Sequence, residues 1–171
     1  MKILWCVTGA GHLLEESVAF MEKISSRHEI TVAMSDASLE VARMYALYER
    51  IKKRSDEIIL EKDQGRSFPF VGRMYQKEFR KILVIPCSAN TTAKIAHGIA
   101  DTLITNVVSH GVKNSIPVLI FPTDFQKTER TTLPNGKKVN LKIRDIDLEN
   151  TKKISKLKGI KVVRNFEEIK L

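Results

Sequence analysis

Ile82-Leu83-Val84-Ile85-Pro86-Cys87-Ser88-Ala89-Asn90-Thr91 runs on into Thr92-Ala93-Lys94-Ile95-Ala96-His97-Gly98-Ile99-Ala100, and this stretch decides how the chain is read. Its first four residues form an apolar run rich in Ile and Val. Such a run fits a strand buried on both faces, as in a parallel sheet. Pro86 has no N–H to donate and is expected to stop the ladder. Small polar residues follow, then an amphipathic helix carrying Ala93, Ile95, Ala96 and Ile99. A strand that turns into a helix through such residues leaves backbone N–H groups free at its carboxyl edge. Open α/β sheets bind ligands at that edge, and a helix N-terminus favours anions. Ser88, Asn90 and Thr91 add donors and acceptors; the plainer reading is that Ser88 or Asn90 only caps the helix.

The same residues carry a resemblance. Pro86-Cys87-Ser88-Ala89-Asn90-Thr91 resembles the Pro-Ala-Ser-Ala-Asn-Thr signature of the homo-oligomeric flavin-containing cysteine decarboxylase superfamily. Ala93 to Asp101 is similar to that family's next helix and its Gly-x-Ala-Asp step. The subgroup resembled is the archaeal flavoproteins of the dihydromethanopterin reductase-like type. The likeness covers most of residues 1–122 and, more loosely, the C-terminus. It implies bound FMN, a homo-oligomer of three or more subunits with flavin at subunit contacts, and redox chemistry. It implies either a reductase of a pterin such as dihydromethanopterin, or an electron carrier taking electrons from ferredoxin.

A length of 171 residues suits one domain with a full core, and 43% hydrophobic residues exclude a disordered chain. Cys6 and Cys87 lie in apolar strand contexts and read as reduced. No apolar run has the length of a membrane span, and the N-terminus lacks a signal-peptide pattern, so a cytoplasmic protein is expected. The net charge of +9 is spread from Arg50 to Lys170, concentrated at Arg50-Ile51-Lys52-Lys53-Arg54. With 6% aromatic residues and no nucleic-acid motif, it argues less for nucleic acid than for solvated helix faces or an acidic redox partner.

Ile3 to Val7 reads as the first strand and Thr8-Gly9-Ala10-Gly11-His12 as its turn into a helix over 13–26. Leu14 stands where a Gly-x-Gly-x-x-Gly fingerprint needs its third glycine, and Met34-Ser35 where a ribose-binding acid belongs. A dinucleotide site is therefore weakly supported, whereas a mononucleotide phosphate needs only small residues and a hydroxyl. Ile30 to Met34 is the second strand, and Asp36 to Tyr48 the second helix. The resemblance implies a flavin-phosphate contact for Ser35, which otherwise reads as a cap. Ile58 to Leu60 fits a short strand, 64–70 a loop, and Met74 to Phe79 a helix. The decarboxylase branch has a catalytic His about fourteen residues before the signature proline; here no His lies between His28 and His97. That branch also has a Pro-x-Met-Asn-x-x-Met-Trp substrate clamp where this chain has Phe121 to Gln126. Ile99 to His110 reads as a helix and Ile116 to Pro122 as a buried strand. Residues 126–143 are a basic insertion turning at Pro134-Asn135-Gly136-Lys137, a hairpin signal. Asp145 or Asp147 is expected to cap a last helix reaching Leu157, before a strand at Ile160 to Val163.

These readings converge on a three-layer α/β domain with a doubly wound, flavodoxin-like or Rossmann-like parallel sheet. Thr8, Gly9, Ala10 and Ser35 would hold the phosphate and ribityl end of FMN. Ser88, Ala89, Asn90 and Thr91 would hold the ribityl chain and ring edge. No side chain is assigned as a general acid or base, and no cluster has metal-ligand spacing. The alternatives are a flavin-dependent decarboxylase or prenyltransferase-like enzyme, and a non-catalytic nucleotide-binding module. Phe68, Phe70, Met74 and Tyr75 are expected to form an apolar surface that a second copy covers.

Overall fold

The computed structural model describes residues 1–171 throughout. Strands β1 (Lys2–Val7), β2 (Glu29–Met34), β3 (Glu57–Leu60), β4 (Lys81–Cys87), β5 (Val118–Pro122) and β8 (Ile160–Val162) form one parallel sheet in the order β3-β2-β1-β4-β5-β8. This is the Rossmann-like strand order, which reverses direction between β1 and β4. Alternation along each strand feeds two cores. Ile3, Trp5 and Val7 face helices α1 (Leu14–Ile24), α2 (Asp36–Met44) and α3 (Tyr48–Arg54). Leu4 and Cys6 face α4 (Gly72–Tyr75), α5 (Ala89–Ala96), α6 (Leu103–Lys113) and α7 (Asp145–Ile154). Strands covered on both sides have no solvent face, which is why 82–85 reads as an unbroken apolar run. Strands β6 (Thr128–Thr132) and β7 (Lys138–Lys142) form a separate antiparallel hairpin, with Gly136 at φ +81° in its turn.

Several expected boundaries move, each for a local reason. Pro86 does not end β4: the register shifts after Val84, and pairing resumes at Cys87 opposite Pro122. The helix expected over 36–48 breaks at Met44. Ala46 takes φ 55°, and the Leu47 N–H reaches back to the Ala42 carbonyl, a left-handed helix stop that usually uses glycine. The chain restarts as α3, which the sequence reading missed. The helix placed at 74–79 is the shorter α4, ended by Lys77 at φ 51°. The helix placed from Ile99 begins at Leu103, because Thr102 and Thr105 form a reciprocal capping box. Arg144, not an aspartate, occupies the cap position of α7; Asp147 instead takes a bidentate pair from Arg144 at 2.7 and 2.8 Å. Phe70 and Met74 are core residues, which corrects the expected apolar surface; Tyr75 alone of the four is strongly exposed.

Candidate functional site at the sheet reversal

The two central strands are stitched together at their carboxyl ends by one buried side chain. The Thr8 hydroxyl donates to the Pro86 carbonyl at 2.7 Å and accepts from the Ser88 N–H at 2.8 Å. Thr8 therefore builds the crevice floor, and its hydroxyl is engaged by protein rather than facing a ligand. Beside it the Ser35 N–H reaches the Val7 carbonyl, and the Thr123 N–H the Cys87 carbonyl. The loops after β1, β2, β4 and β5 thus meet along one edge.

Gly9 presses against the start of α2. A Cβ there would lie 2.6 Å from Ala37 Cβ, closer than two carbons can approach. Gly11 is covered in the same way by the Tyr45 ring, whose hydroxyl ties to the Thr132 carbonyl of the hairpin. The glycines of this turn thus serve close packing, with no third glycine required. The backbone N–H groups of Gly9, Ala37, Ala89 and Asn90 have no protein partner. They belong to the β1 turn and the starts of α2 and α5, which adjoin at the carboxyl edge of the sheet, and free N–H groups of this kind suit phosphate and polyol oxygens.

The candidate side chains divide into caps and free groups. Ser88 caps α5, accepting from the Thr91 N–H at 3.3 Å and donating to the Thr91 hydroxyl at 3.1 Å. Ser35 caps α2 through the Ser38 N–H at 3.1 Å. Asn90 is exposed, and its amide makes no hydrogen bond within the protein, so it is not the cap. Ala10 and Ala89 are half-buried beside these groups and present backbone. Glu61, which sequence reasoning missed, sends one carboxylate oxygen to the Asp36 N–H at 3.2 Å and the other to the Leu103 N–H at 2.9 Å. An anion thus already sits at the starts of α2 and α6, leaving Ala37 and α5 as the open donors.

A second feature lies beside the crevice. A cleft of about 570 Å³ opens between the β1–α1 turn, the segment after β5, the hairpin and α7. His12 and Leu13 form its near wall, while Phe125, Glu129, Thr151 and Arg164 line the rest. None of the residues expected to hold a cofactor lines it. Asp124 sits nearby; burial pushes its carboxyl above the usual range, and Asp147 and Glu129 push the same way. Burial likewise pushes the Cys87 thiol up to about 12 and raises Cys6, so neither is a thiolate nucleophile near neutrality.

The two basic runs end at opposite edges of the sheet. Lys52, Lys53 and Arg54 close α3, next to the amino ends of β2 and β3, where the Asp56 N–H bonds the Ile30 carbonyl. Four strand steps, about 13 Å, separate that level from the crevice. The hairpin leaves β5 at the crevice edge and carries Lys127, Lys137, Lys138 and Lys142 there.

A model of the Flavoprotein family matches residues 1–170. The chain belongs to the flavoprotein family. It is 38% identical over 99% of its length, and 92% of the relative's, to an uncharacterised protein of Methanocaldococcus jannaschii. It is 29% identical to the dihydromethanopterin reductase (acceptor) of the same organism, over 99% of this chain and 94% of that one. Among solved structures it is similar to Burkholderia xenovorans DmrB in complex with FMN, described as a cubic protein cage for redox transfer. That match has a TM-score of 0.84 and 30% identity, covering 98% of this chain and 89% of that one.

Proposed function

We propose that this protein is an FMN-dependent oxidoreductase of the dihydromethanopterin reductase type. The observation that carries the reading is the crevice itself, with unpartnered N–H groups from Gly9, Ala37, Ala89 and Asn90 in a chain of this family. The donor set fits a mononucleotide: its donors are neutral amides and hydroxyls, small residues line the approach, and the third glycine of a dinucleotide fingerprint is absent. Ser35, Gly9 and Ala10 would hold the phosphate end. Ser88, Ala89, Asn90 and Thr91 would hold the ribityl chain and ring edge. Bound FMN supplies hydride or electron transfer. The chain's own part is to bind, orient and shield: Thr8 fixes the spacing of β1 and β4, and Gly9 keeps the turn against α2.

A decarboxylase reading finds no support in the side chains. Position 72, fourteen residues before Pro86, is glycine, and its neighbour Arg73 is committed to Glu57 and Glu78. The chain's own two thiols, Cys6 and Cys87, are buried and offer no accessible nucleophile.

The donor that fits the charge is an acidic ferredoxin, and the hairpin lysines are the basic run at the crevice edge. Long-range attraction of this kind is screened beyond about 8–10 Å at physiological salt. Reduction of the bound flavin by ferredoxin should slow as salt rises from about 0.05 to 0.5 M, whereas reduction by a small neutral reductant should not. Replacing Lys137, Lys138 and Lys142 by Gln should lower the ferredoxin rate and flatten its salt dependence. Replacing Lys52, Lys53 and Arg54 should do neither, and a rate indifferent to salt and to both substitutions would remove ferredoxin as the partner. A homo-oligomer of three or more copies belongs to the same proposal, supported by the cage formed by the DmrB relative. A monomer by light scattering at micromolar concentration would contradict it.

A further inference from the structure

Two-electron reduction of a C=N bond needs more than a hydride. As the hydride from reduced flavin bonds to carbon, the π pair moves to nitrogen, and that nitrogen must take a proton. The flavin is oxidised by two electrons and the acceptor is reduced by two, so the proton has to come from an acid outside the pair. The structure holds one imidazole suited to give it. His12 lies three residues after Gly9 on the β1–α1 turn and forms a wall of the 570 Å³ cleft. Its Nε2 faces Glu129 Oε2 at 4.0 Å. Glu129 is itself fixed, its other oxygen accepting from the Phe125 and Gln126 N–H groups at 3.4 and 3.1 Å. Both side chains are mostly buried, at 19% and 16% exposure. The His12 Nδ1 makes no hydrogen bond within the protein. The other histidines have ring partners: His28 the N-terminal amine, His97 both Asn150 and Lys153, His110 the Tyr75 hydroxyl.

We propose that His12 is the proton donor to the nitrogen of a dihydropterin-class acceptor, with Glu129 orienting its ring. This rests on the reading of the protein as an FMN-dependent pterin reductase. The acceptor would enter by the cleft, where the His12 ring could reach its nitrogen. The imidazolium gives its proton as the new N–H bond forms, and water at the cleft mouth reprotonates the neutral ring. A carboxylate that holds a histidine in one orientation is a recurring device of general acid–base sites.

The test compares wild type with His12→Gln, His12→Gly and Glu129→Gln, each purified with FMN. The flavin of each is photoreduced, and its reoxidation by dihydromethanopterin is followed by stopped flow. Expected is a loss of about 10²-fold or more in that step for His12→Gln, the usual scale of general acid catalysis. Partial recovery is expected for His12→Gly on adding imidazole, and a smaller loss for Glu129→Gln. The FMN dissociation constant, read from flavin fluorescence, should change less than about threefold in His12→Gln, a factor of three being roughly 0.6 kcal/mol. A His12→Gln enzyme as fast as wild type overturns the step while leaving the pterin reductase standing. So does a slow variant that imidazole does not rescue and whose FMN affinity has fallen with its rate. A wild type whose reduced flavin ignores the pterin overturns the reading of the function, and the step with it.

Discussion

Asn90 carries a side-chain amide that no protein group uses, at the start of a helix whose cap is already made by Ser88. Leucine there keeps the size and removes the donor and acceptor. FMN binding should weaken by about 1–3 kcal/mol, the cost of leaving a ligand's polar group unpaired. The thermal midpoint should stay put, because Asn90 contributes no internal hydrogen bond. Unchanged affinity in Asn90→Leu would remove the residue from the site. Gly9 makes the complementary case. Alanine there places a carbon 2.6 Å from Ala37 Cβ, so either the turn or α2 must move. Gly9→Ala should retain its far-UV dichroism and lose at least about tenfold in FMN affinity, or roughly 1.4 kcal/mol. Wild-type affinity in that variant would show that the spacing between the β1 turn and α2 does not matter to the ligand. Thr8 acts through the protein alone. Thr8→Val leaves the Pro86 carbonyl and Ser88 N–H without their buried partner, a loss of about 1–3 kcal/mol of stability, and Thr8→Ser should restore most of it. Equal denaturation midpoints for Thr8→Val and wild type would show that the strap between β1 and β4 holds nothing.

Helices and strands were legible where periodicity and burial agreed. The runs 3–7, 30–34, 82–85 and 118–121 are covered on both faces, and their composition shows it. Legibility ended where a local bond overrode the pattern. The break between α2 and α3 depends on Ala46 in a left-handed conformation, and alanine carries no sequence signal for that. The start of α6 depends on Thr102 and Thr105 bonding each other, three residues after the apolar pattern begins at Ile99. Of the candidate site, the signature hexapeptide put Ser88 to Thr91 at a strand-to-helix turn, and the cap reading open for Ser88 and Ser35 is what both side chains do, whereas Asn90, the other candidate cap, is free. Glu61 was invisible, because the two N–H groups it joins lie 25 and 42 residues away in sequence. That junction gives a prediction of its own. Glu61→Gln keeps the shape and removes the charge that faces the starts of α2 and α6. It should cost about 0.5–2 kcal/mol in chemical denaturation, within the range of capping and helix-dipole effects. A neutral result would mean that water serves those N–H groups equally well.

At the scale of the whole molecule, charge divides stability from function. At the amino edge of the sheet, Arg73 joins Glu57 and Glu78, and Lys2 joins Glu78 and Glu29. Hydrogen bonds from Arg73, then from Lys2, hold the Glu78 carboxyl down to about 2. A carboxylate depressed in the folded state stabilises it fully above its unfolded value, near 4.3, and that contribution disappears as pH falls toward 2. Arg73→Ala should therefore lose stability at neutral pH, by about 1–2 kcal/mol after screening, and show a shallower loss between pH 4.5 and 2. Parallel acid-unfolding curves for variant and wild type would contradict this. No helix is long and apolar enough to cross a membrane. The carboxyl edge carries the crevice, the cleft and the basic hairpin together, so cofactor, acceptor and donor would all meet on one side of the sheet. This edge would bind one flavin mononucleotide. The visible spectrum of the purified protein, followed by mass spectrometry of the ligand released on denaturation, tests it most directly. Flavin absorption and FMN at about one molecule per chain are expected, as a single crevice of this kind accommodates. A well-folded preparation that yields FAD, a nicotinamide dinucleotide or no ligand, and takes up no added FMN, would contradict it.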